Sequence, residues 1–220
     1  MQPIDEQGLV IRNDTDTFYE WMYDTIRPYV RGKILEIGSG AGYLTELLLQ
    51  RGHQLKISDP DKEYWKQLVE KYEHHAQIMG ITNITPSNKR FEENYARYLG
   101  KCYTVILLNN IQPGAEESDV LANLKKLVAI NGNLILRLPV RISLFGHADG
   151  EELDFWRHRN RQAIRKLFGT EFELKETWFF NLSNSGSAVN HPLLTSFTSN
   201  SENDRNRHGL FAIAVGRKNQ

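Results

Sequence analysis

The sequence predicts an α/β protein: a doubly wound, mostly parallel seven-stranded sheet that ends in an antiparallel C-terminal hairpin. Three observations carry this reading. Five short apolar runs alternate with segments of helical periodicity, a glycine-rich turn directly follows the first run, and the last two strand-like runs have no convincing helix between them.

The elements follow in order. From Asp14 to Val30 the residues Phe18, Trp21, Met22, Ile26 and Tyr29 recur at helical spacing, with Asp14 or Thr15 as cap. Lys33 to Ile37 is the first strand, and Tyr43 to Arg51, rich in leucine, the helix after it. Leu55 to Ser58 is the second strand. Asp61 to Met79 is a helix with Tyr64, Trp65, Leu68, Val69 and Tyr72 on one face. Asn83 to Ser87 reads as a weak third strand broken by Pro86, followed by a short helix from Glu92 to Leu99. Tyr103 to Asn109 is continuously apolar enough for a central strand buried on both faces. Glu116 to Ile130 is a helix and Gly132 to Leu138 the fifth strand. Glu171 to Phe180 and Leu210 to Gly216 form the terminal hairpin. Asn181 to Arg207 between them has six Ser and six Asn in 27 residues, long for a plain connection.

At 220 residues the economical expectation is one core. We divide it into an N-terminal helical segment or lid at 1–32 and a ligand-binding domain at 33–220 with an insertion at 181–207. Twenty-seven basic residues balance 27 acidic ones, so no global field recruits nucleic acid or an anionic membrane. The single cysteine, Cys102, excludes an internal disulfide and a multi-cysteine metal site, and no metal is expected. No apolar run approaches the roughly 20 residues that span a bilayer, and the start lacks a basic, then apolar, leader. The expected location is cytoplasmic; the oligomeric state is not encoded legibly.

The most informative stretch is Glu36-Ile37-Gly38-Ser39-Gly40-Ala41-Gly42, between a strand and a helix. Glycines let a ligand approach the main chain without a Cβ in the way. A dinucleotide fingerprint requires glycine or alanine at position 43, where Tyr43 stands, and an acid before the first glycine suits a pyrophosphate poorly. Asp59 ends the second strand, where this geometry places an acid against ribose hydroxyls. Two carboxylates at one switch point suit a ligand with a ribose and a positive charge but no phosphate, and S-adenosylmethionine is such a ligand.

The combination resembles the class I S-adenosylmethionine-dependent methyltransferases, in the branch that acts on small molecules. Their first motif is an acid followed by three spaced glycines. The resemblance covers residues 18–217. It extends to Leu107-Leu108-Asn109-Asn110-Ile111 after the fourth strand, to the approach from Leu127 to Leu136, and to Pro139, Leu144-Phe145-Gly146 and Asp149 beyond the fifth. It implies a Rossmann-like methyltransferase fold, S-adenosylmethionine as cofactor with S-adenosylhomocysteine as product, and cofactor contacts from Glu36, Gly38, Ser39, Gly40, Gly42, Asp59 and Asn109. Two departures stand out. The family's glutamate–histidine pair is Gln112-Pro113 here, and the acid after the third strand is missing among Asn88, Lys89 and Arg90, leaving Asn88, Phe91 and Glu92 as adenine candidates.

The implied activity is transfer of a methyl group to oxygen or nitrogen of a small-molecule acceptor, such as a sugar or lipid-linked compound. His147 and Asp149, in the loop after the fifth strand, are the catalytic candidates, since histidine is the commonest base at neutral pH. Phe18, Tyr19, Trp21, Met22 and Tyr23 supply either an aromatic wall over the acceptor or core packing. The stretch from Arg157 to Lys166 is either a solvated helix face or a site for an acceptor phosphate or carboxylate. Two alternatives remain: a nucleic-acid methyltransferase, which the charge balance argues against, and a cofactor-binding domain that has lost catalysis.

Overall fold

The computed structural model describes residues 11–108, 117–139, 161–182, 194–198 and 211–220. Helix α1 (Ile11–Ile26) runs into a 3-10 turn (Arg27–Tyr29) set by Pro28. Then come β1 (Ile34–Ile37), α2 (Tyr43–Gln50), β2 (Leu55–Ser58), α3 (Lys62–Tyr72), β3 (Ile78–Thr82), α4 (Phe91–Tyr95) and β4 (Cys102–Leu107). Next are α5 (Glu117–Leu127), β5 (Val128–Pro139), α6 (Arg161–Phe168), β6 (Phe172–Leu182), β7 (Leu194–Thr198) and β8 (Phe211–Lys218).

The strands form one sheet in the order β3-β2-β1-β4-β5-β8-β6-β7. The first five are parallel and the rest antiparallel. Six of the seven expected strands are present where the sequence places them, and the third lies earlier, at Ile78–Thr82. β7 is an eighth, on the edge, from within the Asn181–Arg207 stretch. Its Phe197 pairs with Phe179 of β6, which relieves the anomaly of so long a connection. The remaining residues of that insertion lie outside the described ones. Strand order reverses between β1 and β4, the place where doubly wound sheets bind ligands.

Helices cover both faces because the central strands are apolar on both. One face packs Leu35, Val105, Leu107 and Leu136 against Val120 and Leu124 of α5 and Ile164 and Phe168 of α6. The other packs Ile34, Ile106 and Ile135 against Met22 and Ile26 of α1, Leu44 and Leu48 of α2, and Leu68 of α3. Met22, Tyr23 and Ile26 are thus core residues, while Phe18, Tyr19 and Trp21 are only partly buried. A polar girdle ties the end of the helical segment to the sheet. Thr104 Oγ1 accepts from Arg31 N–H at 3.0 Å, and the buried Asn133 amide donates to the Tyr29 carbonyl at 2.7 Å.

Several boundaries differ from the sequence expectation. Asp14 and Thr15 lie inside α1 and do not cap it. α3 stops at Tyr72, and Ile78–Thr82 becomes the third strand in place of Asn83 to Ser87. The reason is lateral: Ile57 and Ser58 pair with Ile81 and Thr82, which the β-branched run Ile-Thr satisfies. α5 ends at Leu127, so Val128-Ala129-Ile130 joins β5. A register shift between Cys102 and Thr104 and a left-handed Asn131 (φ 61°) absorb the extra residues.

Candidate functional site

The site begins with the end of β1. All four β1 residues are buried, Glu36 among them at 4% exposure. Thr45 of α2 donates a hydrogen bond to Glu36 Oε2 at 2.6 Å. Burial pushes the Glu36 carboxyl up to about 7, more than Thr45 and the nearby Ser39 hydroxyl can offset. A carboxylate in this state is held near its ionisation point, and a cation beside it tips it to the charged form.

The chain then turns through Gly38, Gly40 and Gly42 with φ of 70°, 53° and 83°. These are left-handed values that L-residues adopt at a cost. Gly38 and Ser39 amides donate to the Ser58 carbonyl at 2.8 and 3.1 Å, which moors the loop to β2. At Gly42 a Cβ would meet the Tyr72 hydroxyl at 2.9 Å, so that position needs glycine for space as well as angle.

Asp59, immediately after β2, is 4% exposed. Its Oδ2 accepts from Gly40 N–H at 2.8 Å and its Oδ1 from Asp61 N–H at 2.9 Å. The acid therefore fixes the glycine loop to the start of α3. A carboxylate has about four acceptor positions, so two remain for a ligand diol. Asp61 in turn caps α3, accepting from Glu63 and Tyr64 amides at 2.8 and 3.2 Å.

These groups surround a cleft of about 480 Å³. Its floor is Ile37 to Ala41 and Leu107, with Asp59 to Asp61 and Tyr64 on one side and Thr85 to Ser87 beyond. Tyr19 of α1 and Tyr43 of α2 stand at the other side, stacked at 5.5 Å between ring centroids. Burial and the Glu36 charge raise the Tyr19 phenol above its usual value, so it stays protonated. A separate cavity of about 10 Å³, lined by Tyr19, Glu36, Ser39 and Leu108 among others, shares Tyr19, Ile37, Gly38 and Ser39 with the cleft.

The sequence-derived cofactor residues Gly38, Ser39, Gly40 and Asp59 line the main cleft. Glu36 lies behind them against the smaller cavity, and Gly42 shapes the turn. Asn109, His147 and Asp149 lie outside the described residues, as do Gln112-Pro113, His158, His191 and His208. The adenine candidates after the third strand have other partners. Asn88 Oδ1 accepts from Arg90 N–H at 2.9 Å, Phe91 is core, and Glu92 pairs with Lys126 at 2.8 Å. Thr85, Pro86, Ser87 and Tyr64 occupy that end of the cleft, and the sequence reading did not single them out as ligand residues. Arg161, Arg165 and Lys166 ride on α6, which buries Ile164 and Phe168 on the face away from α1. His74 is 92% exposed on its side chain, and no group of three or more metal-ligating side chains occurs among the described residues.

No protein-family model matches this sequence, and no curated protein matches it. Solved structures do. A methyltransferase of Thermotoga maritima, a possible histamine N-methyltransferase, is 14% identical with a TM-score of 0.61, over 93% of this chain and 91% of that one. Magnesium protoporphyrin IX methyltransferase from Synechocystis PCC 6803, with bound S-adenosylmethionine, is 16% identical at TM-score 0.60, over 98% and 85%. The CurJ carbon methyltransferase is 15% identical at TM-score 0.60; this chain is covered to 94% and spans about half, 54%, of that one. At such identities a likeness speaks for architecture, and the fold of this chain is that of the class I S-adenosylmethionine-dependent methyltransferases.

Proposed function

We propose that the protein is an S-adenosylmethionine-dependent methyltransferase acting on oxygen or nitrogen of a small-molecule acceptor. The observation that carries this reading is the pairing of two buried acids around one glycine loop: Glu36 behind it and Asp59 across it. Asp59 has acceptor positions to offer a ribose diol while its other lone pairs hold Gly40 and Asp61 in place. Glu36, held near neutrality by burial, favours a ligand that brings positive charge. Thr85 to Ser87, Pro60 and Tyr64 offer a partly apolar wall for a planar base. No phosphate-neutralising cation lines this cleft among the described residues, in keeping with a ligand that has none.

When bound, the cofactor supplies an activated methyl group on a sulfonium. This chain's part is to hold the ligand in one orientation and keep water from it, for which proximity alone contributes several kcal/mol. The loop, moored by Ser58 and Asp59, provides the rigid floor. Tyr19 and Tyr43 cover it from the side of α1, consistent with a lid at 1–32. A base for the acceptor's proton is proposed at His147, with Asp149 as its partner.

The test is turnover. Purified protein with S-adenosylmethionine is offered hydroxyl- and amine-bearing small molecules, and separately RNA, and S-adenosylhomocysteine is measured. Acceptor-dependent product with a small molecule supports the proposal; product only with RNA contradicts the acceptor class, and cofactor binding without product from any acceptor points to lapsed catalysis.

A further inference from the structure

Arg137 is the one charged residue in the apolar run Leu134-Ile135-Leu136-Arg137-Leu138 of β5. The sheet register locates it. Ile37 of β1 lies beside Leu107 of β4, and Leu107 beside Leu136 of β5. Arg137 is one row further, level with Leu108 and Gly38. Adjacent strands are about 4.8 Å apart, so it stands two strands, roughly 10 Å, from the first glycine of the loop along the sheet's carboxyl edge. That is the side of the cleft away from Asp59.

Strand alternation puts Arg137 on the face covered by α1, with Ile135 below it and Ile213 beside it. Its Nη1 lies 3.5 Å from the Leu108 carbonyl, and its Cζ is 5.8 Å from the centre of the Phe18 ring. The side chain is partly buried, and desolvation lowers its pKa. Tyr19, which lines the cleft, is close enough to feel its charge. An apolar side chain here, like Leu108 or Ile213 in the same row, would pack without that desolvation penalty. What a guanidinium adds is a planar fork that matches a carboxylate or phosphate.

We propose that Arg137 is a specificity-determining residue that binds an anionic group, carboxylate or phosphate, on the methyl acceptor, while Phe18 and Tyr19 face the acceptor's apolar body. The proposal rests on the methyltransferase reading, which puts the cofactor over β1 and β2 and leaves the β5 side to the acceptor.

The test uses the full chain, with and without saturating S-adenosylhomocysteine, and three probes: phenylacetate, phenyl phosphate and the neutral phenylacetamide. Wild type is expected to bind at least one anion tenfold or more tighter than the amide, and whichever anion binds tighter identifies the group. Arg137→Met is expected to lose that preference while binding S-adenosylhomocysteine within twofold of wild type. Arg137→Lys, which keeps charge but not the fork, is expected to weaken anion binding several-fold, and it serves if the Met variant does not fold. Equal binding of amide and anions by wild type, binding of none of the three at millimolar concentration, or a preference that survives in both variants overturns the proposal. So does loss of S-adenosylhomocysteine binding in a folded Arg137→Met, which would move the residue into the cofactor site. Failure of wild type to bind S-adenosylhomocysteine, with an Arg137-dependent anion preference intact, removes the methyltransferase reading and the acceptor role but not the anion site.

Discussion

Thr45 donates a 2.6 Å hydrogen bond to Glu36 from the first turn of α2, and both side chains are buried. The contact joins the end of β1 to the helix that follows the glycine loop, so the geometry of the loop depends on an acid that the core penalises. That tension has measurable consequences.

Glu36 has its folded pKa raised from 4.5 to about 7. Its contribution to stability is therefore fully present below about pH 4.5 and is lost as pH rises through about 7, because the unfolded chain ionises first. Glu36→Gln, which still accepts from Thr45, is expected to melt higher than wild type at pH 8, by up to about 3 kcal/mol, with the advantage gone by pH 4. The same variant should bind S-adenosylmethionine at least tenfold more weakly at pH 8. Thermal melts and calorimetry at the two pH values check both halves.

Cofactor binding should itself be proton-linked. If the cationic ligand favours ionised Glu36, binding between pH 5 and 7 releases a proton and tightens as pH rises, levelling above about 7. Calorimetry in buffers of different ionisation enthalpy reads that proton directly, and a pH-independent affinity would remove Glu36 from contact with charge.

Asp59→Ala loses the acceptor for Gly40 and Asp61 amides together with the proposed diol contacts. At about 1.5–3 kcal/mol per charged hydrogen bond, affinity for S-adenosylmethionine is expected to fall at least tenfold. Unchanged affinity in a folded variant would separate Asp59 from the ligand.

Gly40→Val places a β-branched side chain at φ 53° on the floor of the cleft. Cofactor binding should be abolished, at a stability cost of about 1–2 kcal/mol. Normal binding would contradict the loop assignment.

Cys102 is buried and its thiol is pushed up to about 11 by burial. It should resist alkylation at pH 8 in the native protein and react only on unfolding. Rapid native labelling, read by mass spectrometry, would contradict its place in the core.

Much of this site was legible in the sequence because its chemistry is local. Glu36 and the three glycines sit within seven residues, and Asp59 closes a strand whose limits, Leu55 to Ser58, follow directly from its apolar run. Two parts were not legible. Ile78-Met79-Gly80-Ile81-Thr82 continues a helical pattern on paper, and only pairing with β2 makes it the third strand. Thr85, Pro86 and Ser87, which line the cleft, fall inside the run Asn83 to Ser87 that reads as that strand on paper. Arg137 did carry a signal, a charge inside an apolar strand, but its relation to Phe18 and Leu108 is set by register and by α1 folding across the sheet.

The most direct test of the central claim is calorimetric binding of S-adenosylmethionine and S-adenosylhomocysteine to the purified chain, with NAD as control. Micromolar binding of both and none of NAD is the result expected from two acids around a loop with Tyr43 at its end. Binding of NAD, or of neither S-adenosyl compound by well-folded protein, would contradict it.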